Sequence, residues 1–177
     1  MPIDIAPLKA RDLALFDQHF ARHRAESGRG DRHFMPFAPD DHEGPKGLDA
    51  RLFQLPLDAP GWQRWWVAWL DNARIIGHVD LKGEFLKTAL HRCELGVGIE
   101  RTHRHQGLGR RLMTTAIEFA RQAPSLDWID LRVFAHNDNA RALYMDLGFV
   151  EVATLTDRFR IEGTSLDDVM MALDVRV

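Results

Sequence analysis

The residues best able to do chemistry lie in the second half of the chain. Arg104-His105-Gln106-Gly107-Leu108-Gly109 sets a cation and two glycines before a run in which Leu112, Ala116 and Phe119 recur at helical spacing. Glu94-Leu95-Gly96-Val97-Gly98-Ile99 precedes it with the look of a strand. A strand, a glycine turn and a helix start together make an anion site, because free backbone N–H groups and the positive end of the helix dipole converge there. Glycine at 107 and 109 lets the backbone approach a bulky anion, and Arg104, Arg110 and Arg111 are cations suited to phosphate. A Walker-type loop would need Gly-Lys-Ser/Thr after four spacer residues, which Leu108-Gly109-Arg110 does not supply, and a dinucleotide fingerprint starting at Gly107 would need glycine at Leu112. Both fail, and the two glycines alone leave an ordinary turn before a helix open.

Other groups need positioning to act. Tyr144 is the only tyrosine and sits beside Leu143 and Leu147, as a core phenol or as a proton donor. Asn137 follows a strand and suits a helix N-cap with Asp138 and Asn139. Glu94 is a candidate general base, direct or through water, and equally a solvent-facing or salt-bridged glutamate. His78 and Asp80 on the preceding strand are further candidates. His103 and His105 form an H-x-H pair, but no third ligand has metal-site spacing, so solvated or phosphate-facing roles are expected and no metal. Cys93, the single cysteine, excludes an intramolecular disulfide and a thiolate zinc cluster.

The elements that would hold these groups follow from periodicity. Ile3 to Leu8 suits a short edge strand, residues 10–24 a helix carrying Leu13, Phe16 and Phe20, and residues 48–55 a second helical piece. Residues 26–47 lose periodicity and hold His33, His42, Asp31, Asp40, Asp41 and Glu43 around Phe34-Met35-Pro36-Phe37; a loop this long is uncommon unless functional. Strands are expected over 64–70 and 74–81, joined at Asp71-Asn72-Ala73, then over 92–99, 128–134, 149–155 and 169–175, the last after a polar loop. Helices are expected over 107–122 and 139–147. Trp65, Val67 and Trp69 alternate with Trp66 and Ala68, as in a strand buried on both faces. The order implies a mixed α/β fold in one domain over residues 1–177, a sheet with helices on both faces.

Length and composition bound the function. With 177 residues, 45% hydrophobic and 28% charged, the chain can bury a core. A net charge of −3 argues against a general nucleic-acid partner. The start lacks secretory-signal features and no apolar run approaches membrane-spanning length, so a soluble cytoplasmic protein without a membrane partner is expected.

The turn at 104–109 resembles motif A of the GNAT superfamily, and Asn137-Asp-Asn-Ala140-Arg-Ala-Leu143-Tyr144-Met-Asp-Leu-Gly148-Phe149 resembles its motif B at the customary distance. The resemblance covers residues 64–177 and implies the GNAT fold, with a central, mostly antiparallel twisted sheet. It also implies acetyl-CoA as co-substrate, its pyrophosphate on the turn Arg104, His105, Gln106, Gly107, Leu108, Gly109 and Arg110. The backbone of Val97, Gly98 and Ile99, with Asn137, would hold the pantetheine arm. Tyr144 would protonate the leaving thiolate, and Glu94 would serve as base. Residues 26–47 would line the acceptor pocket, their acids suiting a cationic amine; a solvated acidic loop is the plain alternative. The tail from Asp157 resembles those of members acetylating small amino-acid-like, polyamine-like or drug-like amines. A protein N-terminus or lysine as acceptor, and a non-catalytic acyl-CoA sensor, are the other readings. A homodimer is expected from the resemblance alone.

Overall fold

The computed structural model describes residues 2–30, 32–38 and 47–176. Seven strands form one sheet: β1 (Ile3–Pro7), β2 (Gln63–Leu70), β3 (Arg74–Gly83), β4 (Arg92–Ile99), β5 (Trp128–Phe134), β6 (Val150–Ile161) and β7 (Thr164–Asp174). Their order is β1-β2-β3-β4-β5-β7-β6, antiparallel throughout except for β4–β5. Among the described residues three α-helices pack on it: α1 (Leu13–Glu26), α2 (Leu108–Arg121) and α3 (Asp138–Asp146).

Strand β2 separates the two layers. Trp66 and Ala68 join the larger core with Ile76, Val79, Leu81 and Leu95, under Leu112, Met113 and Ile117 of α2 and Tyr144 of α3. Trp65 and Val67 point the other way, into a smaller core with Phe16 of α1 and Ile75. Each large apolar side chain of α2 buried in this way contributes roughly 1.5–3 kcal/mol. The β2–β3 turn places Asp71 and Asn72 at φ of 50° and 57°, the left-handed pair that a tight hairpin requires. Between Ala68 and Trp69 the register slips, so Trp69 faces Ile75 while Ala68 faces Gly77. The unmatched Ile76 inverts the alternation, and Ile75, His78 and Asp80 come to share the α1 face.

Two expectations are corrected. The polar loop expected before the last strand is absent: β6 and β7 run on as a long hairpin through Glu162 (φ 49°) and Gly163 (φ 79°). Ile161 and Leu166 there pack with Phe134 as a small separate cluster. Its polar residues alternate with apolar ones, and strand periodicity outweighs their hydrophilicity. The helical piece expected over 48–55 is only a 3-10 turn, Ala50–Gln54, begun where the Asp49 carboxylate accepts from the Arg51 N–H and followed by Pro56 one residue past its cap.

Candidate active site

Strands β4 and β5 pair only at Arg92↔Trp128, Cys93↔Ile129 and Glu94↔Asp130. From Leu95 onward β4 stays paired to β3 alone, through Leu95↔Leu81, Gly96↔Asp80, Val97↔Val79, Gly98↔His78 and Ile99↔Gly77. The sheet therefore parts along a wedge whose β4 wall is the backbone of Val97, Gly98 and Ile99. Backbone groups there that point away from β3 have no strand partner, so a ligand with amide groups can complete the ladder.

The wedge opens toward the start of α2. His105 and Gly107 adopt left-handed φ values of 58° and 75°. They turn the chain so that the first helical bond runs from Arg111 N–H to Gly107 C=O. Helical geometry then leaves the N–H groups of Leu108, Gly109 and Arg110 without intrahelical acceptors. A side chain at Gly107 would meet open space, so the turn's need for glycine is conformational. At Gly109 a Cβ would lie 3.2 Å from Leu143 Cδ2, so there the requirement is close packing of α2 on α3. Gln106 Nε2 donates to Thr102 C=O at 3.2 Å and braces the turn. The Arg110 guanidinium pairs with Asp146 at 2.9 Å, on the exposed surface. Arg104 turns inward instead: its Nε donates to Ile99 C=O, its Nη2 pairs with Glu26, and its guanidinium lies 4.7 Å over Phe34.

Asn137 caps α3, its Oδ1 accepting from Ala140 N–H at 3.3 Å. Tyr144 is buried, its ring tilted against Phe149 at 6.1 Å. Burial pushes its phenol up to about 12, so it stays protonated across the neutral range. The phenol is therefore a hydrogen-bond donor rather than an acid at neutral pH, which revises the ordinary value near ~10. Glu94 is exposed and lines a small cleft of about 110 Å³ with Asp130, Arg132 and Met170.

On the α1 face of β3 and β4 lies a buried polar cluster. Asp80 sits over Gly96, its Oδ1 2.8 Å from where a Gly96 Cβ would stand. Desolvation pushes its carboxyl up from 3.8 to about 6; Lys82 opposes this and Glu94 adds to it. Lys82 Nζ lies 2.9 Å from Asp80 Oδ2, an ion pair without hydrogen-bond alignment, since that oxygen has no hydrogen-bond partner. Beside it, Glu100 Oε1 takes His19 Nδ1 at 3.0 Å, and His19 Nε2 meets His78 Nδ1 at 2.9 Å. Burial would raise Glu100, but hydrogen bonds from His19, Arg22 and Arg74 hold it below its ordinary value, ionised. An ionised Glu100 fixes both tautomers: His19 donates from Nδ1, His78 donates from Nδ1 to His19, and His78 Nε2 is left as an acceptor. Burial lowers all three cluster histidines, His23 to about 3, so they are neutral at pH 7. His78 Cε1 and His23 Nε2 would lie 2.5 and 2.6 Å from a Cβ on Gly98, which only glycine avoids.

The family model of the acetyltransferase (GNAT) family matches residues 31–149, two thirds of the chain and both halves of the wedge. The protein belongs to the GNAT family. No curated protein matches it in sequence. Among solved structures it is similar to a GNAT-family acetyltransferase from Streptococcus pneumoniae, with TM-score 0.81 and 23% identity over 98% of this chain and 99% of that one. It is also similar to yncA from Salmonella typhimurium, an acetyltransferase structure holding its cofactor acetyl-CoA (TM-score 0.79, 17% identity, 100% and 96% covered). A third is the ribosomal-protein-alanine N-acetyltransferase of Brucella melitensis (TM-score 0.74, 20% identity, 97% and 99% covered). At these identities the likeness is one of fold. The family makes the protein an N-acetyltransferase, that is, an acyltransferase.

Within this GNAT fold the structure brings Val97, Gly98 and Ile99 together with the turn at 104–110, and leaves Glu94, the base expected from the sequence, exposed and outside the buried cluster. The sequence reading did not single out His19, His23, Arg24 or Glu100. His19 and His23 stand four residues apart on α1, so their shared face was visible in the spacing. The apolar residues Leu13, Phe16 and Phe20 of the same helix give the stronger periodic signal. His103 and His105 join no group of potential metal ligands among the described residues. His42, Asp31, Asp40, Asp41 and Glu43 lie outside those residues. No described helix is long and apolar enough to cross a membrane.

Proposed function

We propose that the protein transfers an acetyl group from acetyl-CoA to the primary amine of a small molecule, by direct attack in a ternary complex. The observation that carries this is the β4–β5 wedge running from three unpaired N–H groups at the head of α2 to a buried carboxylate over β4. When bound, acetyl-CoA supplies an acetyl thioester activated for transfer. Leu108, Gly109 and Arg110 would receive its pyrophosphate on backbone N–H groups, with His105, Gln106 and Gly107 shaping the turn. Val97, Gly98 and Ile99 would pair with the pantetheine amides, with Asn137 on the facing wall. Arg104 contributes by holding the turn to Ile99 and α1, since its side chain is engaged there.

An acceptor ammonium must lose a proton before its nitrogen can attack. Asp80, poised near 6 and buried over Gly96, is better placed for this than the exposed Glu94. Glu94, close enough to raise Asp80, would pass the proton to solvent. Tyr144 would donate a hydrogen bond to sulfur as the thiolate leaves. Aromatic residues Phe34 and Phe37 fold over α1, where Ser27 Oγ accepts from Phe34 and Met35 N–H, and this roof favours a small acceptor over a peptide.

The test is thiol release from acetyl-CoA with amino acids, polyamines, aminoglycosides and lysine peptides, with products identified by mass. Acetylation of a small amine is expected, and Tyr144→Phe should lower kcat on the order of 10²-fold while coenzyme A affinity holds. Turnover confined to peptides would refute the small-acceptor reading.

A further inference from the structure

Among the described residues, the Arg24 guanidinium on the acceptor side is left unanswered. Arg24 Nε and Nη2 are sealed from solvent and have no hydrogen-bond partner among the described residues. The guanidinium is stacked 5.2 Å over the Phe37 ring, which desolvates it without supplying an acceptor. Neighbouring cations are paired: Arg22 with Glu100, Arg104 with Glu26, Lys82 with Asp80. A buried guanidinium lacking an acceptor is unfavourable, and its planar fork matches a carboxylate with two parallel bonds.

Its position ties it to the site. Arg24 follows His23, whose Nε2 comes against Gly98 of the wedge wall. It lies one helical turn beyond Phe20, whose ring is 6.1 Å from that of His78. Phe34, three residues before Phe37, stacks on His23 at 4.8 Å. Ring contacts thus link the turn of α1 that carries Arg24 to His78 on β3, two residues before the Asp80 carboxylate.

Building on the acetyltransferase reading, we infer that the acceptor is an amine that also carries a carboxylate, an amino acid by class, with its carboxylate on Arg24 and its ammonium toward Asp80. Polyamines and aminoglycosides, which lack an anion, would leave Arg24 unanswered.

The experiment compares matched acceptors with and without the carboxylate, such as phenylalanine with phenethylamine and methionine with 3-(methylthio)propylamine. Wild type, Arg24→Gln and Arg24→Lys are each assayed for kcat, KM and coenzyme A affinity, with melting temperature as a check on folding. The acid of each pair should be preferred by about 10²-fold in kcat/KM, because the amine alone lacks the charge-assisted bonds that Arg24 offers a carboxylate. Arg24→Gln should raise KM for the acids by about that factor and leave kcat, the decarboxylated amines and coenzyme A affinity unchanged; Arg24→Lys should restore part of the loss. If Arg24→Gln melts early, Arg24→Lys against wild type carries the comparison. Equal use of both members of each pair, or equal damage to both by Arg24→Gln, would overturn the inference while leaving the acetyltransferase reading intact. Should neither turn over, calorimetry of the acids into coenzyme-A-saturated protein decides: Arg24-dependent binding supports the inference and no binding overturns it. Loss of coenzyme A binding by the wild type would sink both.

Discussion

Replacing Asp80 by asparagine should stabilise the protein at alkaline pH while removing its activity. The carboxyl is raised from 3.8 to about 6 by burial, so the folded state binds its proton more tightly than the unfolded chain. Stability from this group is therefore greatest below pH 4, falls as pH rises between about 4 and 6, and is lowest above 6. The full difference is about 3 kcal/mol. Asparagine keeps the shape and removes the ionisation. It also gives up the Lys82 pair, whose ammonium end is half exposed, a loss of at most ~1 kcal/mol. A net gain of about 2–3 kcal/mol at pH 8 follows, a rise in Tm of roughly 4–12 °C for a chain this size. At pH 4 the gain should vanish. Thermal melts of both proteins from pH 4 to 8, beside acetylation rates, make the assay. A variant that melts lower than wild type by the same amount at every pH would refute the reasoning, because Asp80 would then be an ordinary paired carboxylate. Wild-type kcat/KM should fall below about pH 6 as Asp80 takes up its proton, and a flat profile there would remove Asp80 as the base.

Gly98→Ala places a methyl 2.5 Å from His78 Cε1 and 2.6 Å from His23 Nε2. It should cost about 1–3 kcal/mol in denaturant melts, with acetylation falling more than stability. Glu100→Gln removes the charge that His19, Arg22 and Arg74 share and should destabilise by roughly 3–5 kcal/mol. It also frees the His19 and His78 tautomers, which a change in the histidine NMR signals would register.

The fold was largely legible because its periodicities are strong. β4 and β5 fall at the expected residues, 92–99 and 128–134, and α2 within one residue at each end. The β6–β7 hairpin was missed because Asp157, Arg158, Arg160 and Glu162 look like a loop when their alternation with Phe159 and Ile161 is ignored. The acceptor side was less legible for a different reason. His78 and Asp80 face α1 only because Ile76 is unmatched at the bulge, and a one-residue slip leaves no mark in the sequence. Glu100 meets His19 across 81 residues of chain, a contact no local pattern encodes. Arg24 stands out only once its surroundings are known to lack an acceptor.

The most direct test of the central claim is calorimetric titration of coenzyme A into the wild-type protein and into Gly107→Val. A β-branched residue cannot readily take the φ of 75° that presents the first N–H groups of α2. Saturable one-to-one binding by the wild type, weakened at least tenfold by Gly107→Val with a melting temperature lowered only by the few degrees that about 1–3 kcal/mol of backbone strain costs, is the predicted result. No binding by the wild type, or equal binding by both proteins, would contradict a cofactor site at the head of α2.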